Sequence, residues 1–472
     1  MRGRRFLRYG GRCVKIGIRS VGGTRDMTRG SIVSQMVAFA LPLMVGNIFQ
    51  MLYNTVDSIV VGQFVGKEAL AAVNSTTVII NMLVFFFNGF SVGAGVLISR
   101  EFGAGDRKRL HRTIETTMTA TFLLCAVFTL IGVGAVRPML RFMDTPEDVM
   151  EEAALYLTIY FWGFSGLLIY NIGSGILRAV GDTFRPLLFL ILTSLLNIVL
   201  DLLFVVGFRA GIAGVAWATI LSQFISGILT MLLLCRTREI YRFSFREMRV
   251  EMGILKEILG VGLPAAVQSV ITAFSNIFVQ SYINFFGSAC MAGWGCYNKL
   301  DQFIMLPMSS MAMAATTFVS QNIGAGQEER ANRGGFVAAF LSLGITGFIA
   351  VTLFLFAEPA IRLFTPDDSV IAYGALFLHN NVLFLMFNCV NHVLAGALRG
   401  RGDSKGPMMI MLVSFVAIRQ VYLFAVTRWV ANTPTLVGLG YPVGWVVCFI
   451  IELTYYKKKG FLSPKKAAAD LL

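Results

Sequence analysis

Five ionisable side chains stand inside otherwise apolar stretches of this chain: Asp57, Asp201, Asp301, Lys299 and Arg419. A charge held in hydrocarbon costs about 2.5–3.5 kcal/mol on insertion scales, so each of the five needs a partner or a task. Asn197 lies four residues before Asp201 and Asn54 lies three before Asp57. On a helix these spacings put amide and carboxylate on one face. Carboxylate and amide oxygens converging from two helices suit a hard cation, and the same carboxylates could equally carry protons. Asp301 and Arg419 are read as a structural ion pair between two helices, with substrate contact or a second proton site as the other role for Asp301. Lys299 is two residues from Asp301 and points to a nearly opposite face. Covalent chemistry has no foothold. The three histidines are scattered, the seven cysteines form no CxxC, and no GxxxxGK[ST] loop could cradle a nucleotide. The reading is therefore not an enzyme, with no cofactor and no nucleotide as energy source.

The elements that must hold these groups are membrane spans. Of 472 residues 56% are hydrophobic and only 14% charged, against about 25% charged in ordinary soluble domains, and the mean hydropathy is +0.71. A hydrocarbon core of about 30 Å takes around 20 helical residues to cross. Uncharged runs of that length cover residues 35–56, 69–99, 116–136, 153–177, 210–235, 258–298, 302–327, 334–357, 369–398 and 429–451. The run 258–298 is too long for one span and divides near Gly287 and Ser288. Segments 186–208 and 406–427 qualify once Asp201 and Arg419 are admitted. The expectation is an all-α fold of twelve spans.

Positive charge sets the orientation. On an alternating assignment, 32 of the 40 basic residues fall on the side where the chain starts and six fall opposite, which predicts both termini in the cytoplasm. The excess of basic over acidic residues thus encodes topology, and no nucleic-acid partner is expected. The first 26 residues lack the apolar core of a secretory signal. Either they form a basic tail or translation starts at Met27.

An internal repeat organises the spans. Ser99, Gly103, Ala104, Gly105 and Arg109 return 221 positions later as Ser320, Gly324, Ala325, Gly326 and Arg330. Leu177, Arg178, Gly181, Asp182 and Pro186 return at the same offset as Leu398, Arg399, Gly402, Asp403 and Pro407. The organisation read from this is a basic tail (1–30), a six-helix lobe (31–235), a linker (236–257), a second six-helix lobe (258–455) and a C-terminal tail (456–472). Six is even, so both lobes enter from one side and are related by an axis along the membrane normal. The acids break the symmetry. At the same offset Asp57 meets Phe278 and Asp201 meets Tyr422, so the acidic pair belongs to the first lobe alone. Coupling and a buried structural pair are the two roles open to it. The glycine and Arg-Asp motifs are read as structural turns on the starting side.

Two further features bear on solute handling. Pro42, fifteen residues before Asp57, removes one helical hydrogen bond and favours a kink. Met305, Met308, Met311 and Met313 give the eighth span a soft surface suited to varied apolar ligands, although core or lipid packing accounts for methionines equally well. Gln50, Asn54 and Asn81 are candidate polar contacts in the same cleft.

In order and spacing, FALPLMVGNIFQMLYNTVDSIVVG (39–62), SREFGAGDRKRL (99–110), ILRAVGDTFRP (176–186), LNIVLDLLFVVGF (196–208), GIAGVAWATILSQ (211–223) and ALRGRGDSKGP (397–407) resemble the multidrug and toxic compound extrusion family over residues 28–455. The first half resembles the bacterial branch with an acidic cation site in the N-terminal lobe. The resemblance implies two lobes that alternate between inward-open and outward-open states on a Na⁺ or H⁺ gradient. It implies a cation site at Asp57, Asn197, Asp201 and Thr219, those four being the metal ligands if Na⁺ is used, and a hinge at Pro42. The expected function is antiport export of amphipathic, cationic organic compounds by a monomer in a bacterial cytoplasmic membrane. The alternative is a flippase or exporter for a lipid-linked precursor or specific metabolite, against which stands the scarcity of basic residues in the spans.

Overall fold

Residues 23–459 and residue 461 are described by a computed structural model, so most of both tails, Met1 included, lies outside the described residues. Among these residues there is no strand. Twelve helices are long and apolar enough to cross a membrane: α1 (Ile32–Val65), α2 (Lys67–Ala104), α3 (Arg107–Phe142), α4 (Glu147–Ala179), α5 (Phe184–Gly207), α6 (Gly211–Arg236), α7 (Met252–Asn284), α8 (Ser288–Gly324), α9 (Glu328–Leu355), α10 (Asp368–Gly400), α11 (Lys405–Val430) and α12 (Pro434–Lys458). Their ends carry recognisable stops. Asp106 caps α3 by accepting from the Arg109 N–H at 3.0 Å. The long apolar run after residue 258 divides where Gly287 takes φ +88°, a conformation that costs glycine little.

Burial sorts the spans. In α2, α4, α8 and α10 half or more of the most apolar window is buried, against 28% in α1, α3, α5 and α9. The outer faces leave large side chains such as Leu130, Phe348 and Trp429 exposed. Such a surface is stable only against lipid, because water would charge about 25 cal/mol for every Å² of it. Each lobe has its own aromatic core, around Phe87, Tyr156, Phe161 and Phe164 in the first and around Trp294, Tyr297, Phe377 and Trp445 in the second. Small residues let spans close on one another without a hydrophobic driving force. A Cβ on Gly166 of α4 would stand 2.7 Å from the Phe224 nitrogen of α6.

The lobes meet at the face where α1 begins and α12 ends, here the tail face. Ser320 Oγ donates to the Val96 carbonyl at 2.6 Å, and Gln321 Nε2 donates to the Ala179 carbonyl at 2.9 Å. Residues before α1 cross this seam. The Met27 N–H donates to Gln321 Oε1 at 2.9 Å, and the Arg25 N–H donates to the Val180 carbonyl at 3.1 Å. Among the described residues, the contact between Asn47 and Ser310 at mid-span is the last hydrogen bond joining the lobes on the way to the opposite face. The bundle is thus tied across the tail face, and among the described residues no hydrogen bond joins the lobes beyond its middle.

Candidate functional site

Asp57 and Asp201 occupy corresponding places, each immediately before or within a turn of a π-helical stretch. Asp57 precedes Val61–Val65 in α1, and Asp201 is the last α-helical residue before Leu202–Gly207 in α5. Such stretches loosen the backbone ladder and recur at functional sites. Asp201 is fully buried, and neither of its carboxylate oxygens has a hydrogen-bond partner. Asp57 is half-buried, with Oδ1 in the same condition. The two are close enough for their charges to interact, and Tyr156 of α4 lies within electrostatic reach of both.

One helical turn nearer the tail face, Asn197 and Tyr53 open onto a cavity within the first lobe, bounded by α1, α4, α5 and α6 and also lined by Pro42, Gln50 and Thr219. Asn197 is buried with Nδ2 unpaired. Thr219 Oγ1 donates to its own helix at Val215 and keeps its lone pairs. Ser194 and Ser222 add two more buried, unpartnered hydroxyl oxygens to the same walls. Asp57 and Asp201 do not themselves line this cavity but lie one helical turn beyond Tyr53 and Asn197. Buried polar atoms are ordinarily satisfied, and unpartnered carboxylate and hydroxyl oxygens are the kind of donor that a hard cation or a proton would satisfy. Tyr53, Tyr156, Ser194 and Ser222 were not singled out from sequence. The only available signal was the i, i+3 and i, i+4 spacing of Ser194, Asn197 and Asp201 and of Tyr53 and Asp57.

Other expected sites fare differently. Asp301 and Arg419 do not pair. Arg419 is buried, donates from Nη1 to Asn276 Oδ1 at 2.9 Å and lies 4.4 Å over the Tyr441 ring, while Asp301 Oδ1 has no partner. The reason is packing: α11 lies against α7 and α12, whereas α8 lies against α2, α9 and α10, and the π-helical stretch Leu412–Ile418 rotates the face that Arg419 presents. Met308 is fully buried in the core of the second lobe and not on a cleft wall. Met305 is half-buried and its sulfur accepts from Asn388 at 3.6 Å. Gln50, Asn54 and Asn81 are exposed, and of these Gln50 lines the first-lobe cavity.

The repeated Arg-Asp motifs divide in two. Their acids are turn caps: Asp182 Oδ1 accepts from the Arg185 N–H at 3.2 Å and Asp403 Oδ1 from the Gly406 N–H at 2.9 Å. Burial pushes the Asp182 carboxyl above its ordinary range, with the Arg185 hydrogen bond and charge working against it. Their arginines turn inward. Arg178 and Arg399 both line a second cavity, which lies between the lobes at the tail-face end and also bears His392. The acids thus serve the turns, as expected for these motifs, while the arginines both turn to the cavity between the lobes.

Comparison with known proteins agrees with this architecture. The MatE family model matches residues 42–203 and 264–424, one block in each lobe. The chain is 31% identical over 434 residues to the probable multidrug resistance protein YpnP of Bacillus subtilis, covering 92% of this chain and 96% of that one. It is 29% identical to the probable multidrug resistance protein NorM of Thermotoga maritima, covering 84% and 86%. A solved structure described as the outward-facing conformation of a multidrug resistance MATE family transporter superposes with a TM-score of 0.86 at 23% identity, over 93% of this chain and 98% of that one. At that identity the likeness speaks for the fold.

Proposed function

This chain belongs to the MatE family, the multidrug and toxic compound extrusion transporters, and we propose that within it the protein is a secondary antiporter that exports amphipathic organic compounds in exchange for H⁺ or Na⁺ by alternating access. It is a multi-pass membrane transporter and not an enzyme. The observation that carries the coupled mechanism is the carboxylate pair of one lobe, buried Asp201 and half-buried Asp57, with three oxygens unpartnered and Asn197 one helical turn from Asp201. An ion or proton arriving there removes the desolvation cost of the acids, and its release restores that cost, so occupancy and conformation are linked. An organic cation is the solute that the acids would compete for or attract. The surplus of basic residues beside the tail face supports a cytoplasmic tail face in a bacterial inner membrane, the protein acting as a monomer. The state described is then closed to the cytoplasm.

Proteoliposomes loaded with a fluorescent cationic dye test the reading. Imposed Na⁺ and H⁺ gradients, applied separately, should show dye movement driven by one of them, and movement insensitive to both defeats antiport. Pro42 supplies the hinge in this scheme. It stands inside α1, lines the first-lobe cavity and leaves one helical hydrogen bond unmade. Pro42→Ala should straighten α1 and slow turnover several-fold at unchanged expression. Transport kinetics and lobe distances identical to the parent protein would make the kink static.

A further inference from the structure

We propose that the inter-lobe cavity at the tail face is a recognition site for an oxyanion group, a carboxylate or phosphate, borne by the amphipathic solute. This rests on the export reading and adds the class of solute. The cavity lies on the axis that relates the two lobes: five pairs of its lining residues stand 221 positions apart, Val92 with Met313 and Arg178 with Arg399 among them. The two arginines reach it from opposite lobes, and His392 stands beside Arg399. Among the described residues, no acid lines the cavity.

Neither guanidinium is spent elsewhere. The Arg178 guanidinium makes no hydrogen bond or ion pair among the described residues, although Tyr170 is within electrostatic reach and Arg178 also lines the first-lobe cavity, and the Arg399 guanidinium has one long contact, Nη1 to Gln268 Oε1 at 3.4 Å. The buried Glu452 of α12 is the carboxylate within electrostatic reach of Arg399, and it does not line the cavity. Two guanidiniums against one carboxylate leave an excess of positive charge at the seam. Each arginine sits in the last turn of its helix, where it complements the helix dipole. That role does not require either arginine to line the cavity.

Two guanidiniums on one cavity, one from each lobe, make it attractive to an oxyanion and unattractive to a bare cation. The guanidinium fork is matched to carboxylate and phosphate oxygens. Val92 and Met313 supply the apolar wall for the body of an amphiphile. A solute entering from the tail face with its acid leading would meet an arginine from each lobe, and an amine elsewhere on the same molecule is compatible with this.

The probe is a matched pair, a rhodamine with a free carboxylate and its methyl ester, titrated by fluorescence anisotropy against the full-length protein in detergent. The parent protein should prefer the acid. Arg178→Gln and Arg399→Gln should each shift the acid-to-ester affinity ratio by roughly tenfold, the value of one charge-assisted hydrogen bond. Arg178→Lys and Arg399→Lys should keep most of the preference, which separates charge recognition from loss of folding. Equal affinity of the parent protein for acid and ester, or equal weakening of both by the glutamine variants, overturns the proposal. A second arm adds phosphatidylglycerol or phosphatidylcholine. Displacement of the acid dye by the former alone assigns the oxyanion to a lipid headgroup, and no displacement by either assigns it to a soluble solute; both support the site. Should gradient-driven transport fail while acid preference persists, antiport falls and the anion site stands.

Discussion

Asp57→Asn and Asp201→Asn should each abolish gradient-driven export while leaving the protein expressed, monodisperse and folded. Asparagine keeps the size and one oxygen of aspartate but can neither balance a cation nor release a proton. Folding tolerates the change because neither acid holds the lobe together: the three unpartnered oxygens make no hydrogen bond that the amide would break, and removing a buried charge relieves desolvation. Both variants should therefore unfold at a temperature equal to or above that of the parent protein. Coupling should suffer badly. Coupling free energies between sites are typically about 1–3 kcal/mol, a factor of roughly 5–150, and loss of one of two coupled carboxylates should place dye export near the upper end of that loss. Downhill dye movement without a gradient should persist. Measured in proteoliposomes, gradient-dependent export by Asp57→Asn at the parental rate would remove Asp57 from the mechanism. Export lost together with thermal stability would make the pair structural instead.

How much of this was legible beforehand follows from which interactions are local. The spans, the repeat and the placing of Asn197 with Asp201 depend on hydropathy, fixed offset and helical phase, all of which are written in adjacent residues. The family resemblance then added Thr219 from a third helix, which lines the first-lobe cavity with Asn197 while Asp57 and Asp201 do not. Tyr156 escaped because its approach to the acids is set by how α4 packs inside the lobe, and one tyrosine in an apolar span carries no signal of that. The expected pair of Asp301 with Arg419 failed for two non-local reasons: α8 and α11 are not packing neighbours, and a π-helical stretch shifts the phase of α11 before Arg419. Met308 shows the limit of composition, since a soft side chain reads alike on a cleft wall and in a core. The inward turn of Arg178 and Arg399 was hidden by their motif. Glycines and aspartates mark a turn from sequence alone, but not which way the arginine before it points.

The repeat also marks where the tail face closes, and the second large effect should come from there. Gly103 and Gly324, 221 positions apart, sit at the ends of α2 and α8 and cross the seam reciprocally. A Cβ on Gly103 would lie 1.9 Å from the Gln321 carbonyl oxygen, and one on Gly324 would lie 1.8 Å from that of Arg100. Both obstacles are backbone, so no side chain can rotate away. Neither glycine has a positive φ, and alanine is the better helix former by about 0.8–1.0 kcal/mol. Gly103→Ala and Gly324→Ala should therefore fold normally and be harmless wherever the lobes are parted at this face. Only the closed state is penalised, by about 1–3 kcal/mol for one overpacked contact. That corresponds to a loss of roughly 5- to 150-fold in the closed population. The double variant should all but exclude the closed state. Spin labels on the two lobes at the tail face should report longer distances in either variant, and export should fall because the cycle cannot pass through closure. The expectation separates state from stability: thermal unfolding unchanged, distances lengthened, transport lost. Parental distances with full transport would mean that the lobes work without the close approach seen between α2 and α8.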